Sequence, residues 1–295
     1  EVARKLGLYE AVKGGETVED KIRRGFVGSG IQDRLSFEEF LERGCYVVPT
    51  AKDWEGDKAG FQRFYEDPER YPLSTPSGKI EYYSPRLAKH FPDDGERPPY
   101  PHWIEKGETH PDERLSTPRA QRYPFLLVSN HPHWRLHSQM DDCAWLREIE
   151  TCKVTGPDGY KYEPVWVNPV DAGKLGLSTG DVVKVYNERG AVLGGVIVTE
   201  RIMPEAVYQD HGARCDTVVL GEGGLDRGGA NNLIAPTATT SKNAHGEVTS
   251  GFLVNIEKVD VFALAEQYPE AFGRDYEPDC GLVATARVVD GKEGE

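Results

Sequence analysis

The sequence lacks any run of about 18 apolar residues, so nothing in it reads as a membrane-spanning helix. It is also short of positive charge. Thirty-five Lys plus Arg face 49 Asp plus Glu, a formal net charge of −14. A general nucleic-acid binder needs a basic stripe to meet phosphate, and none is visible, although a local basic pocket for an anionic cofactor remains open. Cysteine is sparse: Cys45, Cys143, Cys152, Cys215 and Cys280 are odd in number and contain no C-x-x-C pair. That excludes a zinc ribbon and an iron–sulfur motif, and makes a disulfide framework unexpected. The chain starts at Glu1 and no secretory or twin-arginine signal is visible at this end, an absence that says little of a fragment or processed product. Its 295 residues suffice for one large domain or two ordinary ones.

What is present divides by texture. Residues 1 to about 70 read as short helices joined by loops. In "SFEEFLERG", Ser36 and Glu39 form a capping box and Gly44 sits where the helix should stop. "TPSG" is turn chemistry, and "KIEYYS" after it alternates like a strand. Residues 92–122 are rich in proline and charge and read as a linker lying over a surface. From Tyr123 the pattern tightens. "YPFLLVS" reads as a buried strand. "VWVNPVDAGKLG" reads as a strand end, an Asn168 N-cap, Pro169 at the first helical position and a short helix closed by Gly176. "VVKVYN", "ERG" and "AVLGGVIVT" read as a hairpin; "EAVYQD" and "GFLVNIEKV" supply two more strands. The expectation is a mainly β fold with α, a compact barrel with inserted short helices preceded by an irregular α-rich segment. "DVFALAEQYPEAFG" reads as a C-terminal helix before a polar tail.

Four motifs stand in a telling order: "HPHWRLHSQ", "VWVNPVDAGKLGLSTGDVVKVYNERGAVLGGVIVTERIMPEAVY", "GGANNLIAP" and "TTSKNAHG…SGFLVNIEKV". Together they resemble the C-terminal cofactor-binding domain of the dimethyl sulfoxide reductase family of molybdenum and tungsten enzymes. "TPSGKIEYYSPRLA" resembles the segment just before that domain, so the likeness covers roughly residues 70–260. The resemblance implies a double-psi β-barrel at 123–262, a tail of a preceding catalytic-body domain plus linker at 1–122, and a C-terminal helix and tail at 263–295. It implies two molybdopterin guanine dinucleotides holding molybdenum or tungsten. The metal-ligating residue and any iron–sulfur cysteines of the family lie upstream of what is matched here. The expected catalytic residues of this chain, and its metal ligands, are therefore none, and the chain alone should be inactive.

A pterin dinucleotide presents a pyrophosphate, a guanine and a pterin ring rich in donors and acceptors. Pyrophosphate calls for backbone N–H groups, hydroxyls and cations at a loop after a strand. Ser129, Arg135, His137 and Ser138 can donate there, Asn130 can pair with an amide edge, and His131 lies among them. Two alternatives stand beside this. His131, His133 and His137, at spacings of two and four, suit zinc, though no fourth ligand is apparent; or the histidines hold nothing. Asn168 and Asp171 suit a guanine edge, and suit equally an N-cap and a helix-start acid that need no ligand. The family places His211, Gly212, Asn231 and Asn232 facing pterin, while glycine-rich loops taken alone are turns. Ser241 and Lys242 add a hydroxyl and an ammonium suited to phosphate or a pterin carbonyl; in isolation Lys242 reads as a solvated charge.

Within the family, "SGFLVNIEKV" and the overall texture are most like the large subunit of pyrogallol–phloroglucinol transhydroxylase and the catechol dehydroxylases. That implies hydroxyl transfer or dehydroxylation of phenolic substrates. The alternative is an anaerobic respiratory reductase of dimethyl sulfoxide, polysulfide or arsenate type. From another class comes a non-catalytic double-psi-barrel binding module. The resemblance further implies, as partners, the upstream part of the same subunit, an iron–sulfur electron-transfer subunit and a small-molecule substrate. The sequence does not name a compartment; the resemblance leaves both the cytoplasm and the periplasm of a prokaryote open.

Overall fold

The computed structural model describes residues 1–56, 60–105 and 109–283. The polar tail beyond Val283 lies outside the described residues. Two compact units divide between Ile80 and Glu81.

The first unit is helical. Thr17 and Asp20 form a capping box at the start of the Val18–Gly28 helix. Ser36 and Glu39 do the same for Phe37–Arg43, which Gly44 ends in the left-handed conformation, as the sequence leads one to expect. These helices enclose a small core of Phe26, Leu35 and Phe37, with Phe26 and Phe37 meeting edge-on at 5.5 Å. "TPSG" turns as expected, Gly78 N–H donating to the Thr75 carbonyl. "KIEYYS" does not form a strand. Ile80, Tyr82 and Tyr83 are 53%, 81% and 52% exposed, so alternation found no partner edge, and Ser84 instead caps the Pro85–His90 helix.

Among its described residues the second unit has twelve strands: β1 (Phe125–Val128), β2 (Val154–Thr155), β3 (Lys161–Tyr162), β4 (Pro164–Val167), β5 (Val182–Asn187), β6 (Gly190–Val198), β7 (Ala206–Gln209), β8 (Thr217–Val219), β9 (Gly224–Asp226), β10 (Phe252–Lys258), β11 (Tyr276–Glu277) and β12 (Leu282–Val283). Six of them close a barrel in the order β4-β7-β1-β10-β5-β6, the ring completed by β6 against β4. Pairs β1–β7 and β4–β6 run parallel, the other ring pairs antiparallel. This is the double-psi barrel the resemblance implies, mainly β with short inserted helices.

Strand alternation builds its core. Phe125 and Leu127 of β1 point inward with Val165, Val167, Val183, Val185, Val192, Val196, Val207, Phe252, Val254 and Ile256. Each such side chain stabilises by roughly 1.5–3 kcal/mol when fully buried. The ring is tight: a Cβ on Gly194 would fall 2.3 Å from Val165 Cγ2, so only glycine passes there. A second cluster of Tyr160, Tyr162, Val182, Leu193, Leu225 and Val261 seats the C-terminal helix Val261–Gln267 on the outside of the barrel.

The described residues of the 92–122 stretch fall in the second unit, with the division at 80/81, and several of them bond to the barrel and its loops. Glu113, 1% exposed, accepts from the Leu253 backbone N–H at 2.6 Å and pairs with Arg119 and Arg189. Asn243 donates to Asp94 at 2.9 Å, and Arg97 donates to the Asn243 carbonyl.

Candidate functional site

Parallel pairing decides where the candidate residues meet. Because β1 and β7 run side by side in one direction, with Val128 opposite Tyr208, their following loops leave the same end of the barrel. His211 N–H donates to the Asn130 carbonyl at 3.0 Å and ties the two loops. Strand β10 is antiparallel to β1, so its N-terminal approach joins the same mouth. Ser129 N–H donates to Ser250 Oγ at 3.0 Å. Ser129 Oγ accepts from Asn231 Nδ2 at 2.8 Å, bringing in the glycine-rich 228–233 segment. Ser129, Asn130, His131, His137, Ser138, His211, Gly212 and Asn231 are therefore one group.

Asn168 and Asp171 are not in it. Strand β4 is antiparallel to β7, so the helix Pro169–Leu175 that follows β4 sits at the opposite end. Asn168 is the N-cap expected of it: Oδ1 accepts from Val170 N–H at 2.9 Å and Nδ2 donates to the Ile202 carbonyl at 2.8 Å. Asp171, 2% exposed, accepts from Glu205 N–H at 2.7 Å and from Lys174 at 3.1 Å. Its carboxylate thereby holds the tight turn before β7, where Glu205 adopts φ 66°.

At the mouth, Arg135 departs from expectation. Its side chain is buried, and its guanidinium is spent inside the protein. It forms a bidentate pair with Glu163 at 2.8 and 2.9 Å, reaches Asp141 at 3.0 Å, and donates from Nε to the His211 carbonyl at 3.0 Å. No fork remains for a phosphate. Lys153 joins the cluster by bonding Asp141 and Glu163. Burial works against the Asp141 carboxylate, yet Lys153 and Arg135 hold its pKa below the ordinary value. Asp210, at the end of β7, lies at the edge of this network and takes the Tyr208 hydroxyl. Burial first, then the Glu163 charge, push Asp210 up to about 7. Its Oδ2 has no partner, in keeping with a carboxyl that is partly protonated near neutrality.

Three imidazoles converge above that network. His137 Nδ1 and His211 Nε2 are 2.9 Å apart, and the His131 ring centre is 4.5 Å from that of His211. Burial, then the neighbouring His131 and His137, depress the His211 pKa. The trio differs from the one the spacing suggested. His133 is outside it, and His211, from the second loop, takes its place. Gly212 permits the approach: with φ 87°, its Cβ would lie 2.1 Å from the His137 carbonyl oxygen. Its role is close backbone packing between loops.

The remaining candidates are split. Ser241 is fully buried beneath the loop before β10, whereas Asn232 and Lys242 are exposed. Sequence reading missed a cavity of about 140 Å³ beside the mouth, lined by Arg147, Lys153, Lys161 and Arg214 with Asp141 and Asp216. Arg214 reaches the mouth directly, donating to the Ser138 carbonyl at 3.2 Å. The only signal for it in the sequence was cations scattered over some seventy residues, which no local pattern collects.

This donor set suits a flat heterocycle with a charged tail. Exposed Asn130, Ser138 and imidazoles supply donors and acceptors, Trp134 in the same loop keeps a buried Nε1–H without a partner, and the cavity supplies cations. Residues 125–249 match the family model described as Molydopterin dinucleotide binding domain. Over 261 residues the chain is 36% identical to the dimethyl sulfoxide/trimethylamine N-oxide reductase of Cereibacter sphaeroides, an alignment covering 83% of this chain and 29% of that protein. It is 40% identical over 198 residues to trimethylamine-N-oxide reductase 1 of Escherichia coli (strain K12), covering 67% and 22%. It is 32% identical over 266 residues to a dimethyl sulfoxide reductase of the same organism, covering 88% and 30%. Among solved structures, acetylene hydratase from Pelobacter acetylenicus aligns at 20% identity over 65% of this chain and 25% of that one, TM-score 0.41. The barrel is thus a molybdopterin-dinucleotide-binding domain. The chain belongs to the dimethyl sulfoxide reductase family of molybdenum oxidoreductases, as a cofactor-binding region that spans under a third of the length of these relatives. The cofactor of such a region is molybdopterin guanine dinucleotide with molybdenum.

Proposed function

We propose that the larger subunit to which this chain belongs reduces a sulfoxide or an N-oxide, and that this chain holds part of its two molybdopterin guanine dinucleotides. The observation that carries the reading is the run of relatives named as dimethyl sulfoxide and trimethylamine N-oxide reductases, at 32–40% identity over 67–88% of this chain. It favours the respiratory-reductase alternative over hydroxyl transfer or dehydroxylation of phenols. The cofactor, when bound, supplies two-electron oxygen-atom transfer, and the protein's part is to bind, orient and tune it.

In this reading the mouth faces pterin through Asn130, His131, His137, Ser138 and His211. The pyrophosphate charge meets the Arg214, Arg147 and Lys161 side of the neighbouring cavity rather than Arg135. Asn168 and Asp171 stand at the far end of four-residue strands, about 13 Å away at the rise of a strand, within reach of a different part of an extended dinucleotide. Asn232 and Lys242 belong to the rim, while buried Ser241 supports it from within by accepting from Asn243 N–H. Leu136, Met140 and Trp145, exposed by 58%, 61% and 78% beside the mouth, form the surface on which the rest of the subunit would close. An iron–sulfur electron-transfer subunit is the expected partner.

The test is turnover by the full-length protein with a reduced viologen dye as electron donor. Reduction of dimethyl sulfoxide or trimethylamine N-oxide is expected, with molybdenum found by elemental analysis. Inactivity toward both, together with activity on pyrogallol, would reject the oxide-reductase reading.

A further inference from the structure

The convergence of His131, His137 and His211 goes beyond what a pterin face requires. Their ligand nitrogens all lie within 4.8 Å of one another, the one group of three metal-binding side chains found among the described residues. We infer that, while the dinucleotide is absent, these three histidines bind a single divalent transition-metal ion of the zinc, cobalt or nickel kind, leaving an open position for water.

The coordination chemistry fits. Imidazole is a fitting donor for these ions, and three histidines with one open position is a recognised zinc arrangement. With metal–nitrogen bonds of about 2.0–2.1 Å, tetrahedral ligand nitrogens stand roughly 3.3 Å apart. The 2.9 Å between His137 Nδ1 and His211 Nε2 therefore needs to open by only a few tenths of an ångström. In the metal-free site one of these two nitrogens carries the proton of the contact. On binding, that proton moves to the other nitrogen of its own ring, so both rings coordinate neutral.

The scaffold presents the rings already gathered. His137 is held at φ 53°, an unusual conformation for a residue with a side chain, which turns its ring back toward the second loop. Gly212 lets that loop press against the His137 backbone, and Arg135 clamps the His211 carbonyl from below. The Arg135 charge is itself met by Glu163 and Asp141, so the cation beneath the site is compensated. His131 and His137 are exposed, which gives an ion a way in. Because the same rings face pterin in the proposed function, ion and dinucleotide exclude one another.

The experiment uses full-length protein, stripped of cofactor, loaded with zinc, dialysed and analysed for zinc per chain. Comparison with variants cancels any zinc held elsewhere. The expected result is one zinc more per chain in the wild type than in His211→Ala or His137→Gln, with His133→Ala matching the wild type. Cobalt in place of zinc should give the intense visible absorption of a tetrahedral site, lost in the same two variants. Circular dichroism checks that each variant is folded; should His211→Ala unfold, His137→Gln carries the comparison. Equal zinc in wild type and a folded variant, or an equal loss in His133→Ala, overturns the inference. Dinucleotide content of the protein as isolated is measured separately: dinucleotide present with no zinc difference rejects only the metal site, and a zinc difference with no dinucleotide rejects only the proposed function.

Discussion

Arg135 and Glu163 face each other through two parallel hydrogen bonds of 2.8 and 2.9 Å, with both side chains shut away from solvent. The pair joins the loop after β1 to the residue just before β4, and Arg135 Nε extends the link to the loop after β7. One ion pair thus sets the relative position of both loops that carry the histidines.

Removing one half of such a pair strands a buried charge. Arg135→Ala is expected to lower stability by about 3–5 kcal/mol, whereas replacing both partners with apolar residues, Arg135→Met with Glu163→Leu, should recover much of that loss. Urea unfolding of the three proteins measures it. A stable Arg135→Ala protein that has merely lost dinucleotide would show that the guanidinium serves the cofactor directly.

Arg214 should behave the opposite way. It is partly exposed and its partner Asp142 is a surface group, so little folding energy rests on it. Arg214→Ala should leave the melting temperature within a degree or two of wild type, because exposed pairs are worth about 0–1 kcal/mol. Dinucleotide retained per chain should fall about tenfold, the loss of one charge-assisted contact. Unchanged cofactor content would remove the cavity from the binding site.

Asp171 separates the two roles open to it. Asp171→Ala deletes the buried acceptor that holds Glu205 N–H in the turn before β7, and about 1.5–3 kcal/mol of stability should go with it. If the same carboxylate also meets guanine, cofactor content should drop further than in Asn168→Ala, whose side chain is already spent on the helix and on Ile202. Matching losses in the two variants would confine Asp171 to the turn.

Thiol labelling at pH 8 should rank the cysteines by environment. Burial pushes the Cys152 thiol up to about 11, so almost none of it is thiolate at that pH, and its sulfur is also enclosed. Cys45 is exposed and should react first, with Cys152 modified only as the protein unfolds. Rapid labelling of Cys152 in the native protein, read by mass spectrometry of peptides, would contradict the packing around β2.

Much of the architecture was legible in the order of residues. The Ser36–Glu39 capping box, the Asn168–Pro169–Gly176 helix and the inward alternation of Phe125 and Leu127 are decided by bonds and contacts a few residues apart, which is the range over which periodicity and capping act. The ordered motifs pointed in the same way to the barrel and its cofactor. "KIEYYS" shows where that reasoning stops, since alternation specifies a strand only if another edge lies beside it. The site depended on such long-range pairings throughout. Parallel β1 and β7 set His211 against His137, 74 positions away, and left His133 out. The partner of Arg135 lies 28 positions on, and nothing near Arg135 in the chain names it. The local pattern specified which side chains were available. Closure of the ring decided which of them face an open mouth and which are consumed holding it in place, because a charge drawn into the interior must be paired there whatever its neighbours in sequence suggest.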